Sequence, residues 1–271
     1  MADKRLNWTM TGEQAEAIAG QAGLASGSAP TRSVRDVGVD DLDVVFQPIV
    51  SLATQRQFAV EALVRCKWPE FADPIVLFEH AVSETAAGRL GRNIREVAFA
   101  RCRSQPLFVN LHAEELASRW LVRPDDPLNF HDHDVYLEIT ESAAFKYFDL
   151  CMSVLKEVCS RTGAKLVIDD LGAGYSNLKR VADLDPDVVK LDLAMIRGLD
   201  KSRRQHKLVT AVVQMCTDLG AKVVAEGVET QDELHAVRDT GAHYAQGFLL
   251  ARPSYPIPRV TWPPALQPSG L

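Results

Sequence analysis

The sequence predicts an α/β fold: a TIM-like (β/α)8 barrel with one antiparallel strand, the first. One ground is eight short Val/Ile/Leu/Phe-rich runs, mostly separated by segments of helical periodicity. A second is the placing of polar residues. Glu61, Asn110, Glu138, the pair Asp169 and Asp170, Lys190, Glu226 and Gln246 fall within or at the C-terminal end of seven of those runs. A charge in a buried strand is expensive unless paired or metal-bound, and a barrel brings strand ends to one mouth. The third ground is size, because 271 residues suit a single barrel of about 250.

The elements follow in order. Residues 1–40 read as a linker or short helical segment, rich in Ala, Gly and Ser over 15–28, with Thr11 and Gln14 at capping-box spacing before a short helix at 12–24. The first two strands are 43–50 (DVVFQPIV) and 57–65 (QFAVEALVR), joined only by SLATQR, residues 51–56. A parallel crossover needs about a dozen residues, so these two form an antiparallel hairpin. The remaining strands are 106–111, 135–140, 165–171, 188–193, 222–228 and 244–250. Residues 75–103, 144–161, 205–219 and 230–239 carry apolar positions at helical spacing. The barrel is expected over 41–254, and the Pro-rich tail 255–271 is expected to be irregular.

Composition excludes several functions. With 46% hydrophobic and 24% charged residues the chain is ordinary globular material. A net charge of −6 argues against a broad nucleic-acid polymer or membrane surface, yet leaves room for a small phosphate ligand held through cations. Five cysteines without a CxxC pair fit reduced thiols and a cytoplasmic location. No signal-peptide core and no apolar run of about 18 residues is present, so no membrane span is expected.

If the strands close, one mouth holds Glu61, Glu138, Asp169, Asp170 and Glu226, with Asn110 alongside. Two carboxylates about 4 Å apart repel by about 4 kcal/mol at an effective dielectric of 20. Lys190 offers one positive charge, too few for that set. All-oxygen donors favour Mg²⁺ or Mn²⁺ over zinc, and adjacent aspartates can serve two ions. Two ions about 3.5–4 Å apart can activate a water and stabilise a leaving oxygen, the machinery of phosphoester hydrolysis.

The residues also resemble a known family. Glu61-Ala62-Leu63-Val64-Arg65 is similar to the E-A-L-x-R signature of EAL-domain cyclic di-GMP phosphodiesterases. Gln47-Pro48-Ile49, Val109-Asn110-Leu111, Glu138-Ile139-Thr140-Glu141, Val189-Lys190-Leu191-Asp192, Ala225-Glu226-Gly227-Val228-Glu229 and Gln246-Gly247 match further family motifs in order, over residues 41–254. The resemblance implies hydrolysis of cyclic di-GMP to linear pGpG with two Mg²⁺ or Mn²⁺ ions. It implies Glu61, Asn110, Glu138 and Asp169 as ligands of the first ion, with Asp169 and Asp170 serving the second and Glu226 a further metal-site carboxylate. Lys190 would orient or deprotonate the attacking water, Gln246 would line the site beside it, and Glu141 would hold the segment after the fifth strand. Glu229 would support these residues. Gln47, Leu63 and Arg65 would contact substrate, Gln47 at a guanine edge and Arg65 at a phosphate.

The segment after the fifth strand departs from the family pattern at Leu171, where the family has Phe, and at Ala173, where it has Thr. No charged ligand is missing, so an active enzyme is expected, slow or partner-dependent. The alternatives are a catalytically silent cyclic di-GMP receptor and an interaction module without ligand. A homodimer is expected from the same resemblance, and regulation by an upstream sensor or another protein is expected because residues 1–40 are too short to be a sensor domain. His131-Asp132-His133-Asp134 precedes a strand and is expected in a loop at the opposite face. Lys201, Arg203, Arg204 and Lys207 are expected on a solvated face, and Trp68 and Trp120 in packing.

Overall fold

The computed structural model describes residues 32–118, 120–172 and 178–264. The expected helix at 12–24 and the residue Ala173 lie outside them. Eight strands close a barrel in chain order: β1 (Leu42–Ser51), β2 (Gln57–Cys66), β3 (Leu107–Asn110), β4 (Val135–Thr140), β5 (Lys165–Leu171), β6 (Val188–Leu191), β7 (Lys222–Ala225) and β8 (Tyr244–Ala245). β1 is antiparallel to both neighbours, β2 and β8, and every other pair is parallel. The short link therefore makes the expected hairpin, with Gln55 at φ 59 and Ser51 N–H donating to Arg56 O at 2.9 Å.

Helices cover the outside: α1 (Pro74–Ser83), α2 (Ala87–Arg101), α3 (Glu114–Ala117), α4 (Glu141–Lys146), α5 (Phe148–Leu150), α6 (Lys156–Thr162), α7 (Leu178–Leu184), α8 (Leu193–Ile196), α9 (Arg203–Asp218) and α10 (Gln231–Asp239). Their starts are written in the sequence. Asp73 with Pro74 opens α1, Ser202 caps α9, and Thr230 with Glu233 makes a capping box on α10. The long helix expected over 75–103 is two helices, because Thr85 takes φ 52 and the chain turns between α1 and α2. The helix expected at 144–161 is likewise divided, by a π-helical turn at Cys151–Leu155.

Two interior layers explain where the site lies. Ile49, Ala59, Phe108, Tyr136, Val167, Val188 and Val224 form an apolar plug inside the barrel, with Phe58 and Tyr244 packed against it. Phe108 stacks on Tyr136 and Phe58 on Tyr244, each at 4.1 Å between centroids. Side chains alternate along a strand, so the residue two places on faces inward again, one layer higher. Two places on from Ala59, Phe108, Tyr136, Val167, Val188, Val224 and Tyr244 stand Glu61, Asn110, Glu138, Asp169, Lys190, Glu226 and Gln246. On reversed β1 the count runs backwards, and two before Ile49 stands Gln47. The outward residues between them build two large cores against the helices.

Three strands end two or more residues sooner than expected, each where the chain turns to other contacts. After Leu191, Asp192 caps α8. After Ala245, Gly247 is pressed against the Val228 backbone, and Leu250 and Ala251 donate back to its carbonyl at 3.1 Å. After Ala225, Glu226 leads into Gly227 at φ 68. The flanks join the same body. Val34 and Val37 are buried, although they precede the expected start of the barrel. The tail forms no helix through Pro264, but Ser254 exchanges two backbone hydrogen bonds with Phe46, and Trp262 packs on the second core. Among the described residues no helix is long and apolar enough to cross a membrane.

Candidate active site

The polar layer converges on one ammonium. Lys190 Nζ lies 2.8 Å from Glu138 Oε1, 2.8 Å from Glu226 Oε1, 3.3 Å from Asp169 Oδ1 and 3.4 Å from Glu61 Oε2. Lys190 is fully buried. Burial disfavours its charge, but Asp169, Glu138, Glu226 and Glu61 outweigh it and hold the group well above the ordinary lysine range. Amides complete the ring. Glu61 accepts from Asn110 Nδ2 at 3.0 Å and from Gln246 Nε2 at 2.8 Å. Gln246 Nε2 also reaches Gln47 Oε1 at 3.3 Å, and Gln47 Nε2 donates to Ala251 O at 3.1 Å.

Asp169 and Asp170 are adjacent, and in a regular strand they would face opposite sides. β5 avoids this with a bulge. Ile168 pairs with Val189 and Leu171 with Leu191, so β5 spends one extra residue there, and Asp170 takes φ 59. The bulge aims both carboxylates into the mouth, where oxygens of Asp169, Asp170 and Glu226 all lie within 4.8 Å of one another. Two further contacts fix the segment. Asp169 Oδ1 accepts the Asp170 N–H at 3.0 Å, and Glu141 Oε2 accepts the Gly172 N–H at 3.1 Å.

One lysine cannot neutralise this set. Burial, followed by Asp169, Glu226 and Asp192, pushes the Asp170 carboxyl up to about 10. Glu138 and Glu226 are raised well above the ordinary carboxylate range, and Asp169 is raised too, in each case by burial first and neighbouring acids next. Among the described residues, the buried Glu138 Oε2, Asp169 Oδ2, both Asp170 oxygens and Gln246 Oε1 have no hydrogen-bond partner. Buried oxygens left in that state call for a cation or a proton. The donors are all oxygens from carboxylates and amides, a set that fits Mg²⁺ or Mn²⁺.

The mouth opens into a recess lined by Gln47, Leu63, Leu193, Glu226 and Phe248 among others. Arg65 stands above Leu63, half-buried, with Nη1 on Val64 O at 2.7 Å; burial lowers its pKa against the pull of Glu61. Glu229 is at the rim and pairs with Arg197 at 3.3 Å rather than joining the acid ring. The His131–Asp134 tract lies at the opposite end, where His131 stacks on Phe99 at 5.0 Å and Asp134 pairs with Lys165 at 2.7 Å. Lys201, Arg203, Arg204 and Lys207 are exposed.

Sequence reasoning assigned no role to several residues that shape this end. Asp192 is buried, caps α8 and adds to the field on Asp170. Phe248 lines the recess with the Arg252 guanidinium over its ring at 4.3 Å. Behind the segment after Asn110, Arg95 is buried with Glu115 at 2.6 Å and Asp126 at 2.8 Å. Gly91 makes room for that Glu115 carboxylate, a close fit that no local pattern announces.

Comparison with known proteins places these features in a family context. The EAL domain profile matches residues 33–253. A cyclic di-GMP phosphodiesterase of Pseudomonas aeruginosa, PA2567, is 32% identical over 233 residues, covering 81% of this chain and 39% of that protein. The cyclic di-GMP phosphodiesterase PdeR of Escherichia coli is 31% identical over 236 residues, covering 82% and 35%. The chain thus spans well under half the length of these curated relatives. Among solved structures, the calcium and cyclic di-GMP complex of Klebsiella pneumoniae BlrP1 superposes with a TM-score of 0.71 at 30% identity, covering 88% of this chain and 60% of that one. The manganese complex of BlrP1 gives 0.69 at 32% identity, covering 86% and 59%.

Proposed function

The chain belongs to the EAL-domain family, and on that premise we propose that it hydrolyses cyclic di-GMP to linear pGpG with the help of divalent cations, Mg²⁺ or Mn²⁺. The observation that carries this reading is the polar layer at the mouth, where, among the described residues, buried carboxylate oxygens outnumber the one cation beside them. Glu61, Asn110, Glu138, Asp169, Asp170 and Glu226 would hold the ions. When bound, such ions neutralise the acids and acidify a water near neutral pH.

The chain's own residues do the rest. Lys190, with its donors set among four carboxylates, orients the attacking water. Gln246 and Glu226 hold that water from the β8 and β7 sides. The Arg65 fork takes a phosphate oxygen, Gln47 reads a guanine edge, and Leu63 packs against the nucleotide. Glu141 keeps the turn after Asp170 in place through its bond to Gly172. Homodimerisation, control by an upstream sensor and a cytoplasmic location belong to the same proposal.

The test is to incubate the purified chain with cyclic di-GMP and Mn²⁺ and to separate the products by chromatography. Linear pGpG is expected with metal and not with EDTA, and Glu61→Ala is expected to abolish turnover. Full activity in that variant would defeat the assignment, and intact ligand bound without product would favour the silent receptor. Light scattering that finds only monomer would remove the dimer from the proposal.

A further inference from the structure

The backbone around two of the mouth acids follows an unusual path. Asp170 has φ 59, Gly172 has φ 102 and Gly227 has φ 68. Left-handed geometry at a non-glycine residue persists only where the surroundings enforce it. Both glycines are covered by the same element, α8. Met195 lies so close to Gly172, and Leu193 so close to Gly227, that a Cβ on either glycine would overlap the neighbouring side chain. Residues two apart on this one-turn helix thus bear on the turns that follow Asp170 and Glu226.

A helix of four residues does not hold itself in place. Its start is fixed by Asp192, whose Oδ1 accepts the Ala194 N–H at 2.8 Å. Its end is gathered by one side chain from the next helix. Gln205 Nε2 donates to Met195 O at 2.7 Å and lies 3.3 Å from both Ala194 O and Arg197 O. Gln205 sits in the first turn of α9, a 16-residue helix that buries Val209, Val213 and Cys216 in the core. A rigid outer helix is therefore tied through one amide to the element that backs the acids.

We propose that Gln205 is a positioning residue for the cation group Asp169, Asp170 and Glu226. It fixes α8 so that Met195 and Leu193 hold the Gly172 and Gly227 backbones in the path that turns Asp170 and Glu226 into the mouth. The proposal rests on the reading that this mouth binds divalent cations. It goes beyond that reading in assigning control of the acid geometry to a side chain on the outer face of α8.

The experiment measures Mn²⁺ binding by the electron paramagnetic resonance signal of the free ion, with thermal melting in EDTA recorded beside it. Gln205→Ala is expected to weaken Mn²⁺ binding about fivefold, the factor that the net worth of one hydrogen bond gives. Gln205→Lys, whose ammonium can donate to the same carbonyls, is expected to recover most of that affinity. Met195→Ala, acting at the other end of α8, is expected to weaken it similarly. A merely structural role would lower the melting temperature and leave Mn²⁺ affinity unchanged well below the transition; that result in Gln205→Ala overturns the proposal. Equal weakening in Gln205→Ala and Gln205→Lys overturns it as well. If the parent chain takes up no Mn²⁺, the metal reading fails and the positioning role falls with it, whereas parental uptake retained in Gln205→Ala sinks the positioning role alone.

Discussion

Lys190→Met removes an ammonium that lies within 3.4 Å of four mouth carboxylates while keeping most of the side-chain volume. In metal-free protein the lost positive charge must be replaced, and the nearest substitute is a proton on one of the acids. An ordinary glutamate carboxyl has a value of 4.5, so holding one extra proton at about pH 7 costs about 2.5 × 1.36, or ~3.4 kcal/mol. That agrees with the ~3–5 kcal/mol typical of breaking a buried ion pair. At about pH 5 the same proton costs only ~0.7 kcal/mol. With about 2–4 °C of melting temperature per kcal/mol for a chain of this size, the variant is expected to melt ~7–14 °C below the parent near pH 7 and ~1–3 °C below it near pH 5. The assay is differential scanning calorimetry in EDTA at both pH values, repeated with saturating Mn²⁺, which should narrow the gap near pH 7 because divalent cations supply the missing charge. Equal melting of parent and variant near pH 7 in EDTA, or a gap that widens on acidification, would refute the argument.

Asp170 gives a related pH dependence. Its carboxyl is raised from 3.8 to about 10, so the folded state keeps a proton that the unfolded chain releases, and metal-free stability falls as pH rises through that window. Melting in EDTA should therefore drop between about pH 5 and about pH 8, and Asp170→Asn should flatten the slope; a slope unaltered by the substitution would count against it. Arg95→Met leaves Glu115 and Asp126 buried without their cation, and is expected to cost ~3–5 kcal/mol in urea denaturation, with an unchanged midpoint as the contrary result. Gly247→Ala places a Cβ against the Val228 backbone, which is expected to cost ~1–3 kcal/mol and to displace Gln246. Parental melting in that variant would mean that the close approach relaxes freely.

Much of the barrel could be read from residue order because strand periodicity is local. Glu61 stands two places from Ala59 and Lys190 two from Val188, so a polar residue at that spacing marks the same layer wherever it occurs. The reversed β1 was readable as well, since a link as short as 51–56 admits no crossover. The ends of elements were less readable. β8 shrank to Tyr244–Ala245 and the segment 75–103 broke at Thr85, because turns formed by contact with distant backbone leave no periodic trace.

By itself the sequence determined which residues enter the mouth from the regular strands, because alternation along a strand sorts side chains to inside or outside before any strand has found its neighbour; Asp170, which alternation would turn outward, is the exception. Only the tertiary structure decided how those residues stand to one another. The bulge that turns Asp170 beside Asp169, the meeting of four carboxylates on Lys190 and the closeness of Met195 to Gly172 all depend on distances between segments far apart in the chain. Such distances are set by barrel closure and packing, which act between strands and helices, and no local run of residues encodes them.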